Sequence, residues 1–451
     1  MMREVGVSVI SLLDQAVSIA AGVNLARVPD ASLKRAGHII ADTIGVSRAG
    51  ARQEPMVRLS GLERNRGRTA EGPRYGATVF SPSMVRADPE WAAFLNATAG
   101  SFVELDEGMR PTGHPGMQVV IPAVAVAEAE KAHGQTLLRA VIAGYEVTAR
   151  LFTAYRLTYP THPHGHFGAV GGAVAVAMVL DRDPIEAARI AATSPILSIW
   201  DACFEGATAR NTWMGAAAEL AVRSSTLAEA GFTGSPTSLE LSFGKLAGTL
   251  VDRDALVAPL DYSVLGVTRN YFKMHSACAL SHAAVDAVRK LPLIDLAHIE
   301  RIQVETVSNN MKLNRQAEPN DLSARFSLPY VVAAAVLRRG MGADSFHFEP
   351  ETAQLAERID VQVTDDLEAK WPDASPARIT VLASGGRTYT AQVDNPHGHY
   401  LDPLTEAEVR QKFFELVDDN SLAKAWWDRL ADLSRVPDCS RLFQEAGSHA
   451  D

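Results

Sequence analysis

The chain has 451 residues, of which 47% are hydrophobic and 21% are charged, a composition typical of soluble globular proteins. A chain of this length is expected to form about two or three domains around a large buried core. The net charge of −10, with no block of basic residues, argues against a partner that is a nucleic acid or an anionic membrane.

Cysteine content and targeting signals indicate an intracellular protein. Cys203, Cys278 and Cys439 are far apart, so they predict neither a disulfide framework nor a cysteine-rich zinc site. The apolar run at the N-terminus is interrupted by Asp14, which disfavours a signal peptide. The most apolar segment, residues 167–180, is shorter than the roughly 20 residues that cross a bilayer. We therefore expect a cytoplasmic protein with no membrane partner.

Helical spacing of apolar residues dominates the first two-thirds of the chain. It predicts helices over residues 9–28, 30–46, 90–103, 118–133, 137–157, 167–180, 184–193 and 212–230. Asp30 or Ser32 is expected to cap the second helix, and Gly50 to lie just beyond its end. Many of these segments are rich in alanine and glycine on all sides, which is typical of helices buried against other helices.

The apolar pattern changes to alternation after about residue 295. Strands are predicted over residues 298–307, 359–363, 377–383 and 388–393, with a hairpin turn at 384–387. A helix is predicted over residues 323–338, and the pattern is helical again from 405 to 433. The pattern predicts a mainly α fold, with a large all-helical domain formed by both chain ends, 1–269 and 401–451. Residues 270–400 would form a smaller inserted α/β lid domain, and a cleft between domains is a common small-molecule site.

The segment 102–122 combines acidic residues and a histidine between two predicted helices. Glu104, Asp106 and Glu107 end an apolar helical segment, and a loop rich in proline and glycine then presents His114. Acids and an imidazole on a stiff loop suit proton transfer. A solvated turn with a hydrogen-bonded histidine is the alternative interpretation.

Three histidines alternate soon after a Tyr-Pro-Thr tripeptide: His162, His164 and His166. They could face one way as a metal site, but Pro163 and Gly165 interrupt a regular strand, and no carboxylate is near in the sequence. The neighbouring glycines lack the preceding strand and the lysine of a nucleotide-binding loop, and close backbone approach explains them better. Neither a metal nor a nucleotide cofactor is therefore predicted.

Two basic residues are candidates for binding or activating an anionic substrate. Arg210 follows a Gly-Ala-Thr turn at the start of a predicted helix, which suits carboxylate binding, although an ordinary exposed arginine has the same pattern. Lys273 lies among aromatic and apolar residues. Burial in a cleft would lower its pKa and make it a usable base, whereas a surface lysine would keep its ammonium in water.

Cys278 and His282 follow closely after this lysine. Cys278 is either a nucleophile or, as its small apolar neighbours favour, an inert buried thiol. His282 fits the first turn of the following helix, either as a contact in the cap region or as a site residue.

The order and spacing of these segments resemble the MmgE/PrpD family over nearly the whole chain. The shared motifs include His114-Pro-Gly, Gly144-Tyr-Glu-Val-Thr-Ala-Arg150, Phe167-Gly-Ala169, Phe272-Lys273 and Ala324-Arg-Phe-Ser-Leu-Pro-Tyr330. The family includes 2-methylcitrate dehydratases, cis-aconitate decarboxylases and iminodisuccinate epimerases. The resemblance implies a helical domain with a smaller α/β lid, a homodimer, and chemistry without metal, flavin or nucleotide.

The resemblance also implies site residues. Catalytic roles fall on Glu104, Asp106, His114, Tyr159 and Lys273. Substrate-binding roles are expected for Glu107, Thr161, Arg210, Cys278, His282 and Arg325. Tyr159 stands where many members have histidine, and Arg210 where they commonly have lysine. At the position of Cys278, decarboxylase-like members carry histidine, which weighs against decarboxylation.

The family chemistry removes a proton from carbon beside a carboxylate, so cations must stabilise the developing enolate. Arg210 and Lys273, with Arg150 or Arg325, could supply positive charge, and His114 could protonate a departing hydroxyl. The first hypothesis is a dehydratase-type hydro-lyase acting on a small anionic substrate, a hydroxylated di- or tricarboxylate. An epimerase of a dicarboxylic acid, with Tyr159 and Lys273 as two opposed bases, is the second. A non-catalytic binding or structural protein is the third.

Overall fold

The computed structural model describes residues 11–70 and 76–444, and no helix within these ranges has the length and apolar character needed to cross a membrane. The fold is mainly α, as predicted. The α-helices are Leu12–Ala21, Asp30–Gly50, Glu54–Asn65, Pro89–Ser101, Pro115–Ala129, Gly134–Ala154, His166–Val179, Pro184–Thr193, Asp201–Phe204, Thr212–Glu229, Ser238–Leu241, Asp254–Val257, His282–Lys290, Asp321–Arg325, Leu328–Val336, Pro350–Ala356, Asp365–Glu368, Glu406–Val417 and Asn420–Leu430.

A four-stranded sheet lies in the C-terminal half of the chain. Its strands, in spatial order, are Arg387–Val393, Ala377–Ala383, Ile299–Thr306 and Ile359–Val363. Neighbouring strands are antiparallel except the last pair, which is parallel. Short strands pair elsewhere in twos: Ala77–Thr78 with Arg86–Ala87, Gly108–Met109 with Asn270–Tyr271, and Tyr155–Leu157 with Gly248–Leu250.

Buried apolar side chains form two clusters. The larger contains residues between 12 and 272 together with residues between 404 and 443, so both ends of the described chain pack together. The smaller surrounds the four-stranded sheet and draws its residues from 277–393, with Trp200, Cys203 and Phe204 added from earlier in the chain. The exact domain boundaries and the lid arrangement stay predictions.

Several helix ends differ from the predictions. Within the range predicted as 9–28, the helix is Leu12–Ala21 and a 3₁₀ turn follows; residues 9 and 10 lie outside the described residues. The second helix is preceded by Pro29, with no side-chain cap, so the prediction of Asp30 or Ser32 as the cap was wrong. This helix continues through Gly50, where an added Cβ would lie 1.8 Å from the Ala99 carbonyl oxygen of a neighbouring helix.

The helix predicted over residues 323–338 is broken in two. Asp321–Arg325 ends at Phe326, and Leu328–Val336 begins anew. Ser327 caps this second helix by accepting a hydrogen bond from the Tyr330 N–H at 3.2 Å. A serine cap followed by proline marks the start of a new helix. The spacing of apolar residues continues across this position and therefore did not indicate the break.

Candidate active site

The acidic loop between helices Pro89–Ser101 and Pro115–Ala129 is positioned by a short antiparallel pairing. Gly108 pairs with Tyr271, and a Cβ added at this glycine would lie 2.3 Å from the Tyr271 hydroxyl. Continuing the register by two residues places Asp106 opposite Lys273, which is 167 residues away in the chain. This pairing is how the fold brings the acidic loop and the lysine together.

Four buried charged side chains form the centre of the candidate site. The Lys273 Nζ donates to Glu104 Oε2 at 3.1 Å and to Asp106 Oδ1 at 3.0 Å. The Arg210 Nη1 donates to Glu104 Oε1 at 2.5 Å. Burial by itself raises the pKa of both carboxyl groups, but the neighbouring cations outweigh it and hold both below their usual values. The cluster therefore contains two carboxylates and two cations.

Lys273 is fully buried, and its ammonium donates to two carboxylates. Burial alone lowers the pKa of a lysine; here the charges of Asp106 and Glu104 outweigh burial and raise it above the usual value. The prediction of a lowered pKa was wrong because it considered burial without the two carboxylates. Lys273 is an ammonium cation in this arrangement.

His114 has one ring nitrogen held by the protein and the other left free for chemistry. Its Nδ1 lies 2.9 Å from Asp106 Oδ2 and 3.0 Å from the Glu107 carbonyl oxygen. Both are acceptors, so we assign the proton to Nδ1, which leaves Nε2 as the basic nitrogen of the neutral ring. The side chain is 12% exposed and therefore remains accessible. The alternative of a solvated turn does not fit a histidine paired with a buried aspartate.

The three alternating histidines are buried, and His164 reaches the same site. Its ring lies 5.0 Å from that of His114, edge to face, and burial lowers its pKa well below the usual value. Asp106, His114 and His164 offer ligand atoms within 4.8 Å of one another. Thus a carboxylate distant in sequence does approach one of these histidines. A cation there would compete with the Lys273 ammonium for Asp106, so these residues fit a metal poorly.

Among the described residues, Arg210 donates to oxygen atoms through one guanidinium nitrogen only. The residue is 1% exposed, so the alternative of an ordinary surface arginine was wrong. Its Nη1 bonds Glu104 and Asn211, whereas Nε and Nη2 are buried without an oxygen acceptor among the described residues, and the Cys203 thiol is nearby. A planar fork with free donors is suited to a substrate carboxylate.

Glu107 belongs to the acidic loop and attaches it to two helices through hydrogen bonds. It accepts hydrogen bonds from the Tyr145 hydroxyl at 2.8 Å and from the Gly116 N–H at 2.5 Å. Burial raises its pKa to about 8, with the two hydrogen bonds opposing the shift. Its substrate-binding role stays a prediction, and its contacts are those of a residue that orients the start of helix Pro115–Ala129.

Cys278, His282 and Arg325 lie close together around one buried segment. The Arg325 guanidinium donates to Ser276 Oγ at 3.1 Å and to the Phe346 carbonyl, and its own carbonyl accepts from the Cys278 N–H. Burial raises the pKa of the Cys278 thiol, which fits the inert alternative. His282 begins its helix, as predicted, and its Nε2 lies 3.1 Å from the Ala277 carbonyl oxygen.

Tyr159 and Lys273 lie in different surroundings. Tyr159 is 56% exposed, whereas the Lys273 ammonium is enclosed by Glu104 and Asp106. Thr161 is half-buried and pairs through its backbone with Ile199. Arg150, considered as a source of positive charge, bonds Glu146 and backbone carbonyls of residues 255–259 instead.

Neither Tyr271 nor Arg110 was assigned a role in the site from the sequence, and His164 was considered there only as a possible metal ligand. Tyr271 was passed over in favour of its neighbour Lys273, although its ring lies 6.3 Å from that of His114. Arg110 stacks on the same tyrosine ring, with its Cζ 4.9 Å from the ring centroid. The position of Arg110 in the sequence could have indicated its role, because a basic residue between Glu107 and His114 must lie close to the candidate catalytic residues.

A surface cavity of about 480 Å³ lies among residues that take no part in this cluster. Among the described residues its lining includes Gly22, Gln135 and Arg139 but no carboxylate or histidine. Arg139 donates to the carbonyl oxygens of Val23 and Ala21. This cavity therefore lacks an acid–base pair, and the charged cluster is the better candidate for catalysis.

Comparisons with known proteins show which family the chain is similar to. Residues 14–255 match the model described as the MmgE/PrpD N-terminal domain, and residues 275–426 match the MmgE/PrpD C-terminal domain. The chain is 25% identical over 421 residues to cis-aconitate decarboxylase of Mus musculus, covering 87% of this chain and 84% of that protein. For cis-aconitate decarboxylase of Homo sapiens the identity is 25% over 441 residues, with 92% and 89% covered.

Proposed function

The chain belongs to the MmgE/PrpD family, and we propose that it is a cofactor-independent lyase of the dehydratase type. Its substrate would be a hydroxylated di- or tricarboxylic acid. The observation that carries the proposal is the pairing of buried Asp106 with accessible His114, beside the cations Arg210 and Lys273. A positioned imidazole supplies proton transfer, and the cations stabilise negative charge that develops beside a carboxylate.

In the proposed reaction a substrate carboxylate binds the free donors of Arg210. His114 Nε2 removes a proton from the adjacent carbon, and the C–H electron pair forms an enediolate. Asp106 stabilises the resulting imidazolium through Nδ1, while Arg210 and Lys273 stabilise the enediolate. The C–O bond then breaks, and the same Nε2 returns its proton to the departing hydroxyl. The products are an alkene acid and water.

Decarboxylation is the second candidate, and the names of the two relatives favour it. It requires no base: a C–C bond breaks to release carbon dioxide, and the protonated His114 delivers a proton to the carbanion. A site with one accessible imidazole and buried cations suits this sequence of steps. Against it stands Cys278, at the position where decarboxylase-like members carry histidine.

The structure lends less support to an epimerase. Two bases on opposite faces of one carbon are required, but Lys273 is held as a cation and Tyr159 lies largely in solvent.

The homodimer and the cytoplasmic location remain predictions. Exposed Leu246 and Val251 on either side of strand Gly248–Leu250 offer an apolar surface on which a second copy could pack.

Proton NMR in deuterated water, with citrate, 2-methylcitrate, malate and cis-aconitate as separate substrates, tests the proposal. New vinyl signals from a hydroxy acid would support the dehydratase. Loss of carbon dioxide from cis-aconitate would replace it with the decarboxylase. Deuterium exchange without an alkene would favour the epimerase, and the absence of any change would contradict the proposed substrate class.

A further inference from the structure

We propose that Arg110 and His399 form a second carboxylate-binding subsite beside the His114 site. The inference rests on the proposed function and deepens it, because it identifies the substrate as a polycarboxylate. One carboxylate would bind at Arg210, next to the proton-transfer residue. A second carboxylate on the same molecule would bind at Arg110.

Arg110 is a buried arginine with an unpaired guanidinium. The residue is 4% exposed, and its Nε is buried without an acceptor. Across residues 11–70 and 76–444, this guanidinium makes no ion pair or side-chain hydrogen bond and stacks on the Tyr271 ring, while the backbone N–H of Arg110 donates to the Arg269 carbonyl. Other buried arginines behave differently: Arg48, Arg150 and Arg325 all donate to oxygen atoms.

The charge balance of the site points to an anionic ligand at Arg110. Arg210 and Lys273 are matched by Glu104 and Asp106, so that cluster has little net charge of its own. Arg110 adds a buried positive charge with no counterion, and burial lowers its pKa. An unpaired buried charge is costly, and a bound carboxylate would compensate it.

His399 supplies a second free donor. Its Nδ1 accepts the Leu401 N–H at 3.2 Å, so we assign the ring proton to Nε2, which is buried and has no acceptor in the part of the chain that the structure describes. Burial, with the Arg110 charge adding to it, lowers the pKa of His399 to about 3, so the ring is neutral at physiological pH. Both residues are held against one backbone segment, because Arg110 stacks on Tyr271 and the carbonyl of Gly398, next to His399, accepts from the Phe272 N–H. Two such donors are suited to a carboxylate.

The turn that carries His399 is held firmly. Gly398 has a φ of +100°, and its carbonyl accepts the Phe272 N–H at 2.9 Å. A Cβ added at Gly398 would lie 2.3 Å from the Phe272 carbonyl oxygen. Phe272 directly precedes Lys273, so the turn is fixed against the same backbone segment that carries the site lysine.

Tyr271 connects the subsite to the acid–base pair. The Arg110 Cζ lies 4.9 Å from the centroid of this ring, and the His114 ring lies 6.3 Å from it. Lys312 is another cation in this region, but its ammonium already donates to Asn309 Oδ1 at 2.9 Å. Arg110 contacts Tyr271 and, unlike Lys312, has no oxygen partner for its side chain among the described residues, so it is the cation that we expect to bind the second carboxylate.

Isothermal titration calorimetry with tricarballylate, glutarate and butyrate tests the subsite. We expect Arg110→Gln to weaken tricarballylate binding about tenfold or more, as loss of a charge-assisted contact does, and to change butyrate binding less than twofold. Arg110→Lys should restore part of the affinity, and His399→Phe should reduce it by a smaller factor. Arg358→Gln, an exposed arginine on the surface, controls for the change in net charge.

Equal tricarballylate affinity in the parent and Arg110→Gln would overturn the inference, as would a parent that binds none of the three acids. Thermal unfolding of Arg110→Gln should show no loss of stability, since the substitution removes an unpaired buried charge. Arg110-dependent binding without turnover of any acid would uphold the subsite and reject the lyase. Turnover with a KM that is unchanged in Arg110→Gln would support the lyase and reject the subsite.

Discussion

At the scale of single residues, the proposed chemistry depends on the free nitrogen of His114. Its Nδ1 is occupied by Asp106 and the Glu107 carbonyl, so only Nε2 can exchange a proton with a substrate. The backbone at His114 is fixed, because this residue immediately precedes helix Pro115–Ala129 and its carbonyl accepts a hydrogen bond from the Gln118 side chain at 2.8 Å. The imidazole thus faces the buried aspartate from a fixed backbone.

We expect His114→Gln to lower kcat by about 10²- to 10⁴-fold, the usual contribution of a positioned acid–base group, with little change in thermal stability. Steady-state kinetics on the substrate found by NMR measures this. His133→Gln is the control, because His133 is exposed and makes no side-chain cap contact. Activity within threefold of the parent in His114→Gln would remove this histidine from the mechanism.

Glu107 gives a prediction about pH and stability. Its pKa in the folded protein is about 8, above the ordinary value of 4.5, so its contribution is complete below pH 4.5 and is lost as pH rises through 8. Glu107→Gln keeps the acceptor for Gly116 and cannot ionise. We therefore expect the drop in unfolding midpoint between pH 6 and pH 9 to be smaller in Glu107→Gln than in the parent.

Differential scanning calorimetry at the two pH values measures this difference. Glu130→Gln, an exposed glutamate at the end of the same helix, should leave the pH dependence as it is in the parent. An identical drop for Glu107→Gln and the parent would show that Glu107 ionises normally.

At the scale of elements, helix Glu406–Val417 contacts the acidic loop through the side chain of Lys412. Its Lys412 pairs with buried Asp42 at 2.7 Å and also donates to the Leu105 carbonyl at 3.1 Å. Leu105 lies between the two carboxylates that bind Lys273. A helix near the C-terminal end of the described chain therefore positions a loop about 300 residues earlier.

We expect Lys412→Met to destabilise the protein by about 3–5 kcal/mol, because Asp42 would be left buried and unpaired. Adding Asp42→Asn should recover much of the loss. Urea unfolding monitored by circular dichroism measures both variants. Lys424→Met, which breaks an exposed pair with Asp428, should cost less than about 1 kcal/mol. A Lys412→Met variant as stable as the parent would show that the pair does not support the fold.

At the scale of the whole molecule, the exposed apolar residues suggest where a second copy would pack. Strand Gly248–Leu250 pairs with Tyr155–Leu157, and Leu246 is 82% exposed at one end of this pairing. Thr158 bonds the Ala247 carbonyl, which places exposed Tyr159 close to the same surface. An exposed group of apolar side chains on a strand pair is typical of an interaction surface.

If the predicted homodimer forms there, light scattering after gel filtration should give twice the chain mass for the parent and a monomer for Leu246→Lys/Val251→Lys. Leu293→Lys alters an equally exposed leucine elsewhere and should remain dimeric. A double variant that stays dimeric would move the interface to another face, and a monomeric parent would reject the homodimer.

Much of the fold was predictable because it depends on local pattern. Apolar spacing predicted the helices between residues 90 and 230, and alternation predicted the four strands of the larger sheet with the turn at 384–387. The acidic loop and His114 were identified as candidates from their residue types on a stiff loop. The helix break at Ser327 was missed because a cap leaves no mark on apolar periodicity.

The charge states of the site were decided only by the tertiary structure. Lys273 becomes a cation because Glu104 and Asp106, more than 160 residues away, enclose it. Arg110 is unpaired because no acid approaches it among the residues that the structure describes, and nothing in its neighbouring sequence indicates this. Residue types and local periodicity are properties of the sequence, whereas a pKa is the sum of burial and nearby charge, which only the folded chain brings together.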